Sequence, residues 1–204
     1  STRNSRFDCN DLGIMQTNNY HFYSLSSGYV WYNPVPWLKE FRISNYVESV
    51  YRLTTNRATT SYAMLRLSLL TMKHHFYLWG GYYHSLSKTY NYYESRNPDF
   101  PFCEPHWSNA FINFSSSYSK PFALDGELSF VNIPNFNSYS LFINLSPIIK
   151  VGNRFQLRYE IGTENSKRIV GYAGLDNLGL PLFGARDIAS INNTVSFTYV
   201  IRNY

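Results

Sequence analysis

Apolar and polar residues alternate strictly along several segments of the chain, most clearly between Arg154 and Ile161. The apolar positions there are Phe155, Leu157, Tyr159 and Ile161. The residues between them are Gln156, Arg158 and Glu160. Because successive side chains of a β-strand point to opposite faces, this pattern predicts a strand with one apolar face and one charged face.

The same alternation recurs along the chain and predicts nine strands. They are expected near residues 20–32, 41–52, 61–72, 75–85, 109–119, 122–131, 141–145, 154–161 and 191–202. Residues 1–19 are predicted to form an opening loop, and Asn33-Pro34-Val35-Pro36 is predicted to end the first strand, since proline cannot donate to a ladder.

Connections of two lengths are expected to alternate between these strands. Short turns are predicted near Pro34, Lys73, Lys120 and Gly152. Longer loops are predicted near Thr55, Asn97, Asn135 and Gly174, with two long connections at 86–108 and 164–190. Short turns on one side and long loops on the other are typical of bacterial outer-membrane barrels.

The composition favours the same architecture. Of 204 residues, 15% are charged and 19% are aromatic, yet the mean hydropathy is −0.31 and no apolar run could form a spanning helix. In a barrel only alternate residues of each strand meet lipid, so a membrane protein can have this composition. We therefore predict an all-β, antiparallel up-and-down transmembrane β-barrel, with residues 1–204 as a single domain.

An odd number of strands is unexpected for a bacterial single-chain barrel, which usually has an even number. The opening residues Ser1 to Arg6 are polar and contain no signal-peptide core. The sequence is therefore expected to be an internal piece of a longer barrel, incomplete at one end or both.

Alternation also assigns side chains to the two faces of the predicted barrel. Charged residues expected to line the lumen are Arg42, Glu48, Arg66, Asp125, Glu127, Arg158 and Glu160. Residues expected to face lipid are Leu65, Leu67, Leu124, Leu128, Leu157 and Phe197.

Several short motifs resemble those of a known family. They are FDCNDLG at 7–13, Asn18-Asn19-Tyr20, Tyr77-Leu78-Trp79-Gly80, Val170-Gly171-Tyr172, Phe183-Gly184-Ala185-Arg186-Asp187 and Ile191-Asn192-Asn193-Thr194. In this order they resemble a large barrel domain of unassigned function found mainly in Bacteroidota outer-membrane proteins. Two positions depart from its pattern: Leu78 is aliphatic where the family has an aromatic residue, and Ala185 replaces an arginine.

The resemblance implies a location in the outer membrane but no chemistry. Members of that family usually carry a module similar to family 9 carbohydrate-binding domains ahead of the barrel, and nothing in this chain matches it. The family also continues through further strands, which agrees with an internal piece. No catalytic residue is transferred, because the barrel has no established chemistry.

The charges and the metal-binding residue types suggest few other functions. The net charge is +5, but the lysines and arginines are scattered, so no nucleic-acid partner is expected. The five histidines show no convergent ligand pattern, and neither a metal nor a cofactor is expected. Cys9 and Cys103 are predicted in loops on the same side, where either a disulfide or two separate thiols would be consistent with the sequence.

Aromatic residues crowd the long connection at 86–108. Tyr92, Tyr93, Phe102 and Trp107 are candidates for stacking on a sugar ligand. They could instead belong to an interfacial aromatic girdle or pack the loop over the barrel mouth, and we favour these two interpretations over sugar binding.

Three functional hypotheses follow. The first is a non-enzymatic, integral outer-membrane barrel that acts as a pore, a scaffold or a subunit of an envelope assembly. Its partners would be outer-membrane lipid and, as candidates, other envelope proteins or glycans. The alternative is a soluble, secreted β-sandwich that binds carbohydrate through aromatic loops. The third, a glycoside hydrolase using Asp125 and Glu127, is disfavoured because charged pairs are normal in a barrel lumen.

Overall fold

The computed structural model describes residues 2–3, 19–72, 75–97, 99–152 and 154–201. About 75% of the described residues lie in strands, and none of them lies in an α-helix. The predicted opening loop lies almost wholly outside the described residues, as does the turn at 73–74. The chain is all-β, as the alternation predicts.

Twelve strands and one short 3-10 helix are present in the described residues. The strands are β1 Thr2–Arg3, β2 Tyr20–Val35, β3 Leu38–Arg52, β4 Ala58–Thr71, β5 Tyr77–Ser85, β6 Thr89–Asn91, β7 Phe102–Glu104, β8 Ser108–Ser115, β9 Phe122–Ile133, β10 Ser138–Val151, β11 Phe155–Leu175 and β12 Pro181–Tyr199. The 3-10 helix η1, Pro134–Phe136, joins β9 to β10.

Ten of these strands form one antiparallel sheet in the order β1-β2-β3-β4-β5-β8-β9-β10-β11-β12. Apart from the two-residue β1, nine long strands follow one another as neighbours, the number that alternation predicts. Among the described residues β12 pairs only with β11, so the sheet is not closed into a barrel. β6 and β7 form a separate two-stranded sheet.

The first predicted strand end is wrong by a few residues. β2 runs through Pro34 to Val35, and the turn to β3 lies at Pro36-Trp37. A register irregularity between Tyr32 and Val35 accommodates Pro34, and Asn33 has a positive φ of 51°. Proline is tolerated here because the ladder is already interrupted at a bulge.

The predicted long loop at 164–190 is also wrong. β11 and β12 form one continuous hairpin, with Gly171 opposite Gly184. The turn is confined to 176–180, where Asp176 Oδ1 accepts hydrogen bonds from the backbone N–H groups of Leu178 and Leu180, each at 2.8 Å. The glycine and polar content of this region lowers strand propensity, but a backbone ladder interrupted only by register shifts at Ser166/Ile169 and Tyr172/Gly174 overrides it.

The predicted contrast between short and long connections holds only for one connection. The connection between β5 and β8, residues 86–107, is long as predicted. The connections at 134–137 and 176–180, predicted to be long, are no longer than the predicted short turn at 116–121. The two ends of the sheet differ mainly in strand length. At the end of the sheet where β9 is joined to β10, the β11–β12 hairpin continues well past both strands.

Few large apolar side chains are buried. The buried apolar residues among the described part are Leu38, Ala58, Ala123 and Ile148. Serines supply much of the buried surface, including Ser68, Ser129, Ser140 and Ser166. This distribution is the reverse of that in a water-soluble domain, where Leu, Ile, Val and Phe fill the interior.

Candidate functional site

The register of the sheet places the predicted lipid-facing residues on one face. Residues directly opposite each other on neighbouring strands share a face, as do alternate residues of one strand. One row of opposed residues runs through Leu67, Gly80, Ile112, Leu128 and Ile143. The remaining predicted positions on this face, called the apolar face below, are Leu65, Leu124, Leu157 and Phe197.

Side chains of the apolar face are accessible. Leu65, Leu67 and Leu128 are each 43% exposed and Phe197 is 69% exposed, while Leu124 and Leu157 are partly exposed. No second sheet or helix covers them in the described part of the chain. The apolar face therefore presents large side chains outward across nearly the whole sheet.

The predicted lumen residues lie on the other face, called the polar face below. Arg66 lies opposite Ser44, and Glu127 lies opposite Asn113 and Asn144. Alternation along β3, β9 and β11 adds the other five predicted residues, Arg42, Glu48, Asp125, Arg158 and Glu160.

Small hydroxylated residues crowd the polar face. Ser68, Ser129, Ser140 and Ser166 lie on it and are buried. Ser166 Oγ donates to Ser140 Oγ across the β10–β11 ladder and also lies 2.8 Å from Glu164 Oε1. Burial of these small side chains shows that neighbouring side chains pack closely around them on this face.

Asp125 is the centre of a polar cluster near the short-turn ends of β8 to β11. Its two carboxylate oxygens accept hydrogen bonds from Ser115 Oγ at 2.8 Å and from Tyr118 Oη at 2.5 Å. Arg158 Nη2 lies 3.7 Å from Asp125, and Arg158 Nε is 2.6 Å from Glu160 Oε1, a close ion pair without an aligned hydrogen bond. Burial, together with the bond to Asp125, raises the pKa of Tyr118 in the β8–β9 turn.

Smaller clusters occupy the opposite half of the polar face. Tyr46 Oη donates to Glu48 Oε2 at 2.5 Å, and Arg42 pairs with Glu40 at 3.1 Å. Arg66 has no ion pair among the described residues. The polar face thus carries both signs of charge and could only be solvated by water or polar ligands.

Three of the four aromatic candidates in the long connection are used in packing. Tyr92 Oη is 3.0 Å from Thr55 Oγ1, Phe102 contacts the ring of Phe183 at a centroid distance of 4.6 Å, and the Trp107 and Tyr62 centroids are 6.4 Å apart. Tyr93 is 71% exposed. The geometry favours packing over ligand contact at Tyr92, Phe102 and Trp107.

The proposed cysteine pair is described only in part. Cys103 is exposed on β7. Cys9 lies outside the described residues, so a bond between them stays a prediction.

Neither a metal site nor a membrane helix is present in the part of the chain that the structure describes. No group of three or more His, Cys, Asp or Glu residues could hold a metal ion there. No described helix has the length and apolar character needed to cross a bilayer.

Sequence reasoning missed the residues that connect distant parts of the sheet. Glu94 Oε1 accepts the backbone N–H of Tyr172 at 2.8 Å, and the guanidinium of Arg96 lies 4.7 Å from the Tyr172 ring centroid. Glu94 and Tyr172 are 78 positions apart, and no local pattern pairs them.

The fold therefore defines a class: an all-β chain whose single large antiparallel sheet has one exposed apolar face and one charged, crowded face. Within that class the chain belongs to a family described as a domain of unknown function, DUF5916, which matches residues 1–204. No curated protein and no solved structure matches the chain.

Proposed function

We propose that this chain is a non-enzymatic β-barrel domain of the bacterial outer membrane, with the apolar face against lipid and the polar face toward a lumen. The observation that carries this proposal is the inverted distribution of side chains. Leucine and phenylalanine are exposed across the sheet while serine is buried. Water would make such a surface costly, whereas hydrocarbon favours it.

The height of the apolar face supports a spanning role. On β10 it comprises Tyr139, Leu141, Ile143, Leu145, Pro147, Ile149 and Val151. A strand of that length is about 40 Å long, and a tilt of about 40° brings its vertical extent to about 30 Å, the thickness of a hydrocarbon core. On β11 the same face turns polar at Thr163, Asn165 and Lys167, which lie opposite Ile143, Leu141 and Tyr139, so the apolar band is shorter on β11 than on β10.

The two sheet edges indicate how closure would occur. Because neighbours are antiparallel, β2 and β12 run in the same direction, whereas β1 runs opposite to β2. Unpaired edges are not tolerated in lipid. A fully antiparallel barrel therefore needs a strand running in the direction of β1 between β2 and β12, supplied by the same polypeptide or by a partner.

The soluble sandwich remains the competing proposal, but it requires a second layer over the apolar face. Its sugar-stacking residues are also largely occupied: Tyr92, Phe102 and Trp107 pack within the protein. The hydrolase hypothesis loses support because Asp125 already accepts two hydrogen bonds and faces Arg158. We therefore favour a scaffold or pore in an envelope assembly, with lipid as the main partner and no nucleic acid.

Location in Bacteroidota and linkage to a carbohydrate-binding module belong to the same proposal, as the motif resemblance implies. A pore, a scaffold and a subunit of a larger assembly would share the architecture. Envelope proteins and glycans remain candidate partners at the ends of the strands.

Membrane extraction tests the proposal. The full-length protein, expressed with an export signal, should sediment with outer membranes, resist alkaline carbonate and require detergent for release. A monomer that stays in buffer without detergent would contradict the barrel and favour the sandwich.

A further inference from the structure

The connection between β5 and β8, residues 86–107 and called the mouth segment below, has a folded structure of its own. β6 pairs with β7 inside it. Glu104 accepts hydrogen bonds from Thr89 Oγ1 at 3.1 Å and from Asn91 Nδ2 at 3.0 Å. Thr89 and Ser95 are buried. A long connection with this internal order is typical of a functional element rather than a linker.

One flank of the mouth segment is attached to the β3–β4 turn. Tyr92 Oη is 3.0 Å from Thr55 Oγ1, and its ring centroid lies 4.1 Å from the guanidinium carbon of Arg52. The guanidinium of Arg57 lies 4.7 Å from the centroid of Tyr90. Hydrogen bonding and cation–π contacts therefore act together on this side.

The other flank is attached to the β11–β12 hairpin. Glu94 Oε1 accepts the Tyr172 backbone N–H at 2.8 Å, and the tilted rings of Phe102 and Phe183 have centroids 4.6 Å apart. A Cβ at Gly171 would lie 2.9 Å from Glu94 Oε1, so glycine permits this close approach. A carboxylate acceptor makes the bond to Tyr172 charge-assisted and stronger than a neutral one.

These two flanks are far apart in the sheet. β4 and β11 are separated by β5, β8, β9 and β10, which corresponds to about 24 Å along a flat sheet. Tyr92 and Glu94, however, are only two positions apart in sequence. Because one short segment contacts both flanks, the sheet must curve enough to bring them closer than on a flat sheet, and the mouth segment bridges them.

We infer that the mouth segment is a cover that closes the polar interior at the long-connection end, and that Glu94 anchors this cover to β11. The inference rests on the proposed barrel. Below the cover lie the charged groups of the polar face, so a closed cover would exclude solutes from them. Release of Glu94 would open a route to the interior without any change in the sheet.

Conductance of the full-length protein in planar lipid bilayers tests the cover. Wild type should show rare, small openings. In Glu94→Ala the opening frequency should rise roughly tenfold or more, the factor associated with one charge-assisted hydrogen bond. Asp99→Ala is the matched control, because Asp99 is exposed in the same segment and its side chain has no described contact with either flank.

A second variant distinguishes loss of the Glu94 contact from a folding defect. Gly171→Ala keeps Glu94 but places a methyl group where its carboxylate lies, so it should raise opening in the same direction. Hydrogen exchange at the Tyr172 amide should accelerate in both variants and not in Asp99→Ala. Liposome flotation of each protein reports membrane insertion separately.

The outcomes separate the two proposals. If wild type and Glu94→Ala both float with liposomes and conduct equally freely, the cover is contradicted but the membrane proposal is not. The cover is also contradicted if the inserted variants show faster hydrogen exchange at the Tyr172 amide but the same conductance as wild type. Wild type that does not float overturns the membrane proposal and the cover with it.

Discussion

Ile143 and Asn144 are consecutive residues of β10, yet their side chains lie in different surroundings. Ile143 is 38% exposed on the apolar face, where it lies opposite Leu128 on β9 and Thr163 on β11. Asn144 lies opposite Glu127 and above Gly162 on the polar face. The comparison shows that one face groups large apolar side chains, which need an apolar surrounding, while the other groups polar and charged side chains, which need water or polar partners.

Charge substitutions at these two positions should give the largest difference. Ile143→Arg should lower the free energy of unfolding in lipid vesicles by about 1–4 kcal/mol, the depth-dependent cost of an arginine on a lipid face. Asn144→Arg should change it by less than about 0.5 kcal/mol, since it extends into the polar side near Glu127. Urea titration in vesicles measures both, and equal costs would contradict the assignment of the faces.

Methyl groups added at two glycines should separate a clash with the backbone from a clash with a movable side chain. Gly81 lies on the polar face, and a Cβ there would be 2.6 Å from the backbone oxygen of Leu65. Gly81→Ala should therefore destabilise the protein by about 1–3 kcal/mol, as overpacking does. Gly126→Ala meets only the movable ring of Phe114 on the apolar face and should cost less. The same unfolding assay would refute this contrast if Gly126→Ala were the more damaging change.

Removal of two carboxylates tests which charges of the polar face are structural. Asp125→Ala deprives Ser115 and Tyr118 of their acceptor and should cost about 1–3 kcal/mol of unfolding free energy. Glu127→Ala is the control on the same strand and face, because the Glu127 side chain has no described hydrogen bond or ion pair, and should cost less than about 0.5 kcal/mol. If Asp125→Ala and Glu127→Ala lowered the free energy of unfolding equally, the hydrogen bonds to Asp125 would contribute no specific stability.

Truncation on the apolar face should have the smallest effect. Leu128→Ala leaves no cavity if lipid surrounds it, so its cost should stay below about 1 kcal/mol. In a packed core the same change costs about 2–5 kcal/mol. A loss in that higher range, measured by unfolding in vesicles, would mean that a protein layer covers Leu128.

Face assignment could be predicted from sequence because the strand repeat has a fixed period. Once Leu124 and Leu128 were placed on one side, Asp125 and Glu127 had to lie on the other. The β11–β12 hairpin could not be predicted in the same way, since glycine and aspartate there suggested a loop. Its strands are held by the ladder between Gly171 and Gly184, which local composition does not report.

The mouth segment shows a second limit of sequence reasoning. The sequence reveals the aromatic residues of this segment but not the residues that they contact in the folded chain. The contact between Glu94 and Tyr172 depends on the course of the sheet between them, so it exists only after the chain has folded.

Spin labels at 143 and 144 test the central claim most directly. Ile143→Cys and Asn144→Cys would be labelled in full-length protein whose Cys9 and Cys103 are replaced by serine, then reconstituted in lipid vesicles. We expect dissolved oxygen to relax the label at 143 strongly and a water-soluble nickel chelate to relax it weakly, as in hydrocarbon. The label at 144 should show less oxygen access. Strong access of the nickel chelate to position 143, or occlusion of that position from both reagents, would contradict contact between the apolar face and lipid.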